Sequence, residues 1–296
     1  MQDNIVKLRD GRNLGFSDYG QPEGIPLLLF HGTPGSRISN GLENASWIEQ
    51  FGIRVITPER PGFGLSDPAP GRKISDWATD VDELADYLGL DRFHVAGGSG
   101  GGPYALACAI HSPARVLSAT LFSSGVPPEV MQLSKDMQSG NRIGFFLAKN
   151  APFLLKTLLK VLLPIQARSI RKHPEKFIQK MLSKMAEWDR RLIENQKSKE
   201  GLAMHVNEAF RQGSDGAYRD MLLVSRSWRL DLDEIAVPVF MWHGTADTMM
   251  PISLAREFSR LIPGCEPHFI PDAGHLLLAS EEVRSQIIAR ILSVSA

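Results

Sequence analysis

The sequence predicts an α/β fold, in which a mostly parallel sheet is covered by helices on both faces. Three observations predict it. Short apolar runs alternate with helical segments up to residue 125, glycine-rich segments follow several of these runs, and the same alternation returns near residue 237. Strands that alternate with helices favour parallel pairing, because each crossover helix packs on a face of the sheet.

Apolar runs mark the strands. Residues 25–30 form a continuous apolar run, as expected for a strand that is buried on both faces of a sheet. Further strand-like runs lie at residues 14–19, 54–57, 93–96, 120–122, 237–242 and 267–270.

Helical periodicity separates these runs. Apolar residues at intervals of three and four predict an amphipathic helix over residues 75–88. Pro103 begins the next predicted helix, at a position where its missing N–H is tolerated. Further helices are predicted over residues 253–261 and 281–292.

A long block of different character divides the chain. Residues 126–230 lack buried-strand signals and are predicted to form helices rich in Leu, Phe, Met, Lys and Arg. We therefore expect residues 1–125 and 231–296 to form one core domain, with residues 126–230 inserted over one edge of its sheet.

Composition excludes several classes of protein. The 296 residues carry 33 Lys and Arg against 33 Asp and Glu, so the overall charge gives no reason to expect nucleic acid as the main partner. Cys108 and Cys265 are too few for a disulfide scaffold or a four-cysteine zinc site. The N-terminal residues lack the apolar stretch of a secretory signal. We expect a cytoplasmic protein that binds a small-molecule substrate, needs no metal or cofactor, and is a monomer or a homodimer.

A G-x-S-x-G motif at residues 97–101 predicts a nucleophile. It lies between a predicted strand and a predicted helix, and this context makes the motif informative. A sharp turn there forces unusual backbone angles on Ser99, and the flanking glycines relieve the crowding. The alternative is a phosphate-binding loop, but neither the third glycine of a dinucleotide fingerprint nor the Gly-Lys-Ser/Thr of a P-loop is present.

Two later loops supply a base and an acid. His275 follows the last predicted strand, and Asp247 follows the strand before it, so both are expected at the carboxyl edge of the sheet with Ser99. A serine hydroxyl needs such a base, and the base needs an orienting acid. Asp272 is an alternative acid, although a tight loop rarely lets a carboxylate reach the far nitrogen of a nearby imidazole.

These motifs resemble the α/β-hydrolase family, in its capped, serine-nucleophile branch. The resemblance covers residues 10–125 and 235–296 and is carried by the following segments in the family's order: residues 31–32 (HG), 60–66 (RPGFGLS), the Ser99 turn, Gly244 with Asp247, and residues 274–275 (GH). It implies a Ser99–His275–Asp247 triad. A serine at position 99 argues against haloalkane dehalogenases and epoxide hydrolases, which carry Asp there.

The resemblance also implies an oxyanion hole. The loop at residues 31–35 follows the strand at 25–30, and such loops donate one oxyanion N–H. We assign the two donors to the backbone N–H groups of Thr33 and Gly100. His31 is interpreted as a brace for this loop.

The cap is expected to cover the site and to contribute part of its wall. The pocket residues predicted on this basis are Phe146, Phe153, Met249, Met250 and Leu276. Lys156 and Lys160 share one helix face, and a solvated face is preferred to membrane contact as their explanation. Anionic substrates beneath the cap remain an alternative.

Three hypotheses for function follow. The first is a serine hydrolase that cleaves a carboxylic ester, a lactone or a thioester through an acyl-enzyme. The second is a C–C bond hydrolase of the meta-cleavage-product type, which uses the same triad. The third is a small-molecule receptor built on the hydrolase fold, which binds its ligand without turnover.

Overall fold

A computed structural model describes residues 3–38, 46–130, 136–194 and 196–294. Its centre is an eight-stranded sheet in the order β1-β2-β4-β3-β5-β6-β7-β8, which confirms the predicted α/β class. Strands β1 and β2 pair antiparallel, as do β2 and β4, and every other neighbouring pair is parallel. The strands are β1 Asn4–Lys7, β2 Asn13–Gly20, β3 Ile25–Phe30, β4 Ile53–Pro58, β5 Phe93–Gly98, β6 Val116–Phe122, β7 Val239–Gly244 and β8 Glu266–Ile270.

The central strands are apolar because both of their faces are covered. On β3, Leu28 and Phe30 belong to one apolar cluster, whereas Leu27 and Leu29 belong to the cluster on the opposite face. Successive side chains of a strand point to opposite faces, so an uninterrupted apolar run can fill both layers.

Helices complete the two outer layers. Residues of α2, α3 and α10 pack in the first of these clusters, and residues of α1 and α11 pack in the second. The bounds are α1 Ser46–Phe51, α2 Asp76–Tyr87, α3 Gly102–His111, α10 Ile252–Leu261 and α11 Glu281–Leu292. Strand β1 and helix α1 were not predicted, since both are short and carry weak periodic signals.

Between β6 and β7 the described residues form helices. These are α4 Ser139–Asn150, α5 Pro152–Lys172, α6 Pro174–Leu182, α7 Glu187–Leu192, α8 Gln196–Ala209 and α9 Asp215–Val224. We call α4 to α9 the helical insertion. It has an apolar cluster of its own, which includes Leu163, Ile178 and Phe210 together with Phe63 from the core.

None of the helices in the described ranges has the length and apolar character needed to cross a membrane.

Candidate active site

Ser99 lies in a tight turn between β5 and α3. Its backbone has φ 50°, in the left-handed region that non-glycine residues rarely adopt. Neighbouring glycines permit the turn: a Cβ at Gly97 would overlap the carbonyl oxygen of Gly101, and a Cβ at Gly98 would overlap the ring of Phe122. The strained angle is the kind of outlier that marks functional sites. This is the strand–turn–helix geometry that the motif predicts.

His275 and Asp247 form a hydrogen-bonded pair. The imidazole Nδ1–H of His275 donates to Oδ2 of Asp247 over 2.7 Å. The other carboxylate oxygen, Oδ1, accepts the backbone N–H groups of Met249 at 2.8 Å and Met250 at 3.0 Å. The Asp247 side chain is fully buried, so water does not compete for these hydrogen bonds. Together the bonds orient the carboxylate and, through it, the imidazole.

The pair shifts the proton affinity of both members. Burial alone would lower the pKa of His275, but the Asp247 charge and hydrogen bond outweigh it and raise that pKa above its ordinary value. Burial alone would raise the pKa of Asp247, but His275 reverses this and the Asp247 pKa is lowered. Proton acceptance at the free Nε2 of His275 is therefore favoured while Asp247 stays ionised.

The alternative acid is not in contact with His275. Asp272 is exposed, has φ 57°, and its backbone N–H donates to the hydroxyl of Thr245 at 2.8 Å. The exposed position of Asp272 favours Asp247 as the acid that orients the imidazole of His275.

The loop after β3 lies against the Ser99 turn. A Cβ at Gly100 would lie 3.2 Å from the backbone nitrogen of Thr33, so the two segments touch. The backbone N–H groups of Thr33 and Gly100, predicted as the oxyanion donors, therefore belong to adjoining segments. The Thr33 hydroxyl donates to the carboxylate of Asp220 from α9.

His31 braces this loop as a neutral side chain. Its Nδ1–H donates to the carbonyl of Gly32 at 2.8 Å, and its Nε2 accepts the backbone N–H of Arg60 at 3.1 Å. Burial, with a further contribution from Arg60, lowers the pKa of His31 well below its ordinary value. The geometry suits the bracing role that the sequence predicts.

One cavity of about 260 Å³ opens beside Ser99 and His275. The helical insertion supplies much of its wall, through α6, α8 and the segments around α7. The insertion residues that line it are Phe177, Met181, Met185, Ile193, Leu202, His205 and Val206. Most of these side chains are apolar, and no Lys or Arg is found among the described residues of the wall.

The predicted pocket residues divide into two groups. Met249 and Leu276 line the cavity. The prediction is wrong for Phe146 and Phe153, which are 48% and 80% exposed and lie outside the cavity wall. It is also wrong for Met250, which packs in the sheet core. An apolar helix residue can face a pocket, the core or solvent, and its periodicity alone does not distinguish these.

Three site residues were missed by the sequence reasoning. Asp189 and Asp220 are buried carboxylates that reach the site from α7 and α9, and His205 lines the cavity from α8. All three are isolated residues in the insertion, outside any recognisable motif. For Asp189 the sequence carried one indirect signal, the glycine at position 274 directly before His275. In the structure a Cβ at this position would overlap the Asp189 carboxylate.

The described ranges contain no cluster of three or more His, Cys, Asp or Glu side chains that could hold a metal ion.

Comparison with known proteins identifies the family. A family model described as the alpha/beta hydrolase fold matches residues 25–282. The chain therefore belongs to the α/β-hydrolase fold family of enzymes.

Several relatives share this family. The hydrolase YcgS of Bacillus subtilis (strain 168), itself uncharacterized, is 26% identical over 293 residues, with 92% of each chain covered. A non-heme chloroperoxidase of Streptomyces lividans is 31% identical over 170 residues, which span 50% of this chain and 59% of the relative. A 2-hydroxymuconate semialdehyde hydrolase of Pseudomonas putida is 35% identical over 108 residues, which span 36% and 38%.

Solved structures share the fold over almost the whole chain. An α/β-hydrolase fold protein from Nakamurella multipartita has a TM-score of 0.71 at 21% identity and covers 99% of this chain and 98% of its own. A thermophilic esterase from Thermogutta terrifontis has a TM-score of 0.68 at 24% identity, with the same coverage.

Proposed function

We propose that this protein is a serine hydrolase that cleaves neutral carboxylic esters through an acyl-enzyme. One observation carries the proposal: His275, which is bonded to Asp247 at 2.7 Å, lines the same cavity as a serine held in a strained turn. Lactones and thioesters undergo the same chemistry and belong to the same substrate class.

The residues have separate roles in this reaction. Ser99 Oγ attacks the substrate carbonyl while Nε2 of His275 takes its proton. Asp247 keeps the proton on Nδ1 and stabilises the imidazolium. The backbone N–H groups of Thr33 and Gly100 donate to the oxyanion of the tetrahedral intermediate. His275 then gives the proton to the departing alcohol, and a water molecule, activated in the same way, hydrolyses the acyl-enzyme.

The cavity wall supports a neutral and compact acyl group. Small-molecule sites commonly enclose about 300–1,000 Å³, so a volume near 260 Å³ is small. Apolar side chains from α6 and α8 favour an aliphatic or aromatic acyl group. We therefore expect short or medium acyl chains to react faster than long ones.

The cavity favours ester hydrolysis over the C–C alternative. A ring-fission product of the kind cleaved by meta-cleavage hydrolases carries a carboxylate beside the reacting dienol. Burying that charge without a cation is costly, and the described wall offers no Lys or Arg. Because one relative is a 2-hydroxymuconate semialdehyde hydrolase, ring-fission products are included as comparison substrates in the test.

Initial rates on p-nitrophenyl esters from acetate to palmitate test the proposal. We expect turnover with a short-chain optimum, and Ser99→Ala is expected to lower kcat by about 10⁴-fold or more. Ser183→Ala, which changes an exposed serine of the insertion, serves as the control and keeps the wild-type rate.

Labelling distinguishes the remaining hypotheses. A fluorophosphonate should modify Ser99 in the wild type and leave Ser99→Ala unlabelled, as read by mass spectrometry of the tryptic peptide. Full activity of Ser99→Ala on its best ester would overturn the proposal. Turnover of a ring-fission product without ester turnover would favour C–C cleavage, and tight stoichiometric binding of ligand without turnover would favour a receptor.

A further inference from the structure

The insertion reaches the catalytic base through Asp189 on α7. Oδ2 of Asp189 accepts the backbone N–H of His275 at 3.1 Å, and Oδ1 accepts that of Leu276 at 2.8 Å. The residue is 1% exposed. One carboxylate thus fixes two successive peptide groups of the loop that carries the base, and it does so from outside the core domain.

Space for this carboxylate is built into the loop. A Cβ at Gly274 would overlap the Asp189 side chain, so a glycine at this position allows the approach. Next to Asp189, Trp188 packs against the apolar cluster that contains Ala273 and Leu277. A polar contact with the His275 loop and an apolar contact with this core cluster therefore both hold α7 in place.

The charge of Asp189 is not matched by a basic side chain. Among the described residues, no Lys or Arg forms an ion pair with it, and a buried carboxylate without such a partner is costly. Burial raises the pKa of Asp189, while its two N–H donors and the nearby His275 oppose that rise. The cation that this carboxylate can meet is the imidazolium of His275.

A second carboxylate of the insertion reaches the other half of the site. Asp220 on α9 is fully buried and accepts the hydroxyl of Thr33, whose N–H is a proposed oxyanion donor. Arg60 joins the same carboxylate to the loop: its Nη2 donates to Asp220 at 2.8 Å and to the carbonyl of Gly32 at 2.9 Å.

Helix α9 sits unusually close to the core at this point. A Cβ at Gly216, in the first turn of α9, would overlap the carbonyl oxygen of Gly62. The backbones of the insertion and of the loop after β4 are therefore in direct contact, which seats Asp220 above the loop after β3.

We propose that the insertion completes the catalytic site, with Asp189 positioning His275 and Asp220 positioning Thr33. This inference rests on the proposed function and names two positioning residues for it. Neither carboxylate touches the reacting atoms; each acts through a loop that does. A lid that only covered the cavity would need no buried carboxylate at either loop.

The proposal constrains how substrate enters. Swinging the whole insertion open would release His275 from Asp189 and Thr33 from Asp220 together. Helix α8 is also bonded to the loop after β3, because the hydroxyl of Ser36 donates to the carbonyl of His205 at 3.0 Å. Among the described residues, the side chains of α6 that line the cavity, such as Met181, form no hydrogen bond to either loop. An opening of the insertion that kept both loops in place would therefore have to leave α7, α8 and α9 where they are.

Asp189→Asn tests the first half of the proposal. The charged or titratable groups that face His275 are Asp247, Asp189 and His243, and Asp189 is one of the two that raise the pKa of His275. Removing its charge lowers that pKa, so the acid limb of kcat/KM moves to lower pH. The amide nitrogen of the asparagine also cannot accept an N–H, so the loop that carries His275 loses one hydrogen bond. We expect kcat to fall about 10- to 100-fold, with KM within threefold of the wild-type value.

Glu187→Gln is the matched control. Glu187 lies on the same helix, and within the described ranges its one ion pair is with exposed Arg191, so Glu187→Gln removes one charge from α7 without touching His275. The control should keep the wild-type kcat and pH profile. A purely structural role for Asp189 would lower the amount of competent enzyme, counted by fluorophosphonate labelling, without moving the acid limb.

The pKa of His275, measured by NMR of labelled histidine, provides a reading that does not need turnover. A lower His275 pKa in Asp189→Asn than in Glu187→Gln supports the positioning role even if the ester substrate is wrong. Equal His275 pKa values in the two variants overturn it, whatever the turnover. Absence of ester turnover and of Ser99 labelling in the wild type would instead count against the proposed function alone.

Thr33→Val tests the second half. It keeps the backbone N–H and the branched shape of the side chain but removes the hydroxyl that Asp220 accepts. We expect kcat to fall about tenfold or more with KM within threefold, since the loss affects an oxyanion donor rather than substrate binding. An unchanged kcat in Thr33→Val overturns the assignment of Asp220 as a positioning residue.

Discussion

At the scale of single residues, the site depends on one buried carboxylate being oriented by its surroundings. Asp247 uses one oxygen for two backbone N–H groups and the other for His275. His243 secures the same segment, because its Nε2–H donates to the carbonyl of Met250 at 2.7 Å. The orientation of the imidazole is therefore set by the loop after β7 as well as by Asp247 itself.

Asp247→Asn should remove most of the activity and shift what remains. The asparagine carries no charge, so the His275 pKa falls and His275 stays neutral at lower pH. We expect kcat to fall about 10⁴-fold and the acid limb of the residual kcat/KM profile to move to lower pH. The profile of the best p-nitrophenyl ester measures both.

Asp272→Asn is the control for this variant. It removes the neighbouring carboxylate of the same active-site edge, which is exposed and does not contact the imidazole. Its kcat should stay within twofold of the wild type. A larger loss in Asp272→Asn than in Asp247→Asn would reverse the assignment of the acid.

At the scale of elements, the core was predictable from sequence and the insertion only in outline. Ser99, Asp247 and His275 each follow a strand, and parallel strands bring such positions to one edge of the sheet. The apolar runs that predict the strands therefore also predict where the candidate catalytic residues meet. Asp189 and Asp220 lie on α7 and α9, and their burial depends on how those helices dock, which local periodicity does not determine.

The same reason explains the wrong pocket residues. Helix α5 carries apolar residues around most of its circumference, so sequence periodicity does not indicate which side faces the site. In the structure Leu155 and Leu163 are buried, whereas Phe153 and Ile165 are 80% and 63% exposed. The wall is instead built by α6 and α8.

Met181→Trp should narrow the acyl pocket. Met181 lines the cavity from α6, and a bulkier ring there occupies space needed by longer acyl chains. We expect kcat/KM for the acetate ester to stay within threefold and that for the octanoate ester to fall at least tenfold. Phe153→Ala is the control, because its side chain is exposed, and its chain-length profile should match the wild type.

At the scale of the whole molecule, a buried polar junction around Asp220 joins the insertion to the core. Arg60 is fully buried and stacks over the ring of Tyr104 at 4.6 Å. It donates to Asp220 and to the carbonyl of His31 at 2.5 Å, and Arg72 and Tyr104 also donate to Asp220. Burial alone would raise the pKa of Asp220, but Arg60 and Arg72 lower it below its ordinary value.

Such a junction couples the stability of the two parts. A buried ion pair contributes little over a well-packed apolar substitute, but disrupting one partner leaves a buried charge poorly compensated. Arg60→Lys keeps the positive charge and loses the planar fork that bonds Asp220 and the loop after β3 together. We expect it to lower the free energy of unfolding by about 2–4 kcal/mol, measured by urea titration, against less than about 0.5 kcal/mol for Arg191→Lys at the exposed pair with Glu187.

The sign of the pH dependence identifies Asp220 as the source of this effect. Because its pKa in the folded state is lowered, Asp220 contributes stability that is present above the ordinary pKa of aspartate and lost as the pH falls below it. The difference in the free energy of unfolding between the wild type and Arg60→Lys should therefore be constant near neutral pH and shrink below about pH 4. A difference that stays constant through acid pH, or an insertion that unfolds in a separate transition in the wild type, would show that the junction does not couple the two parts.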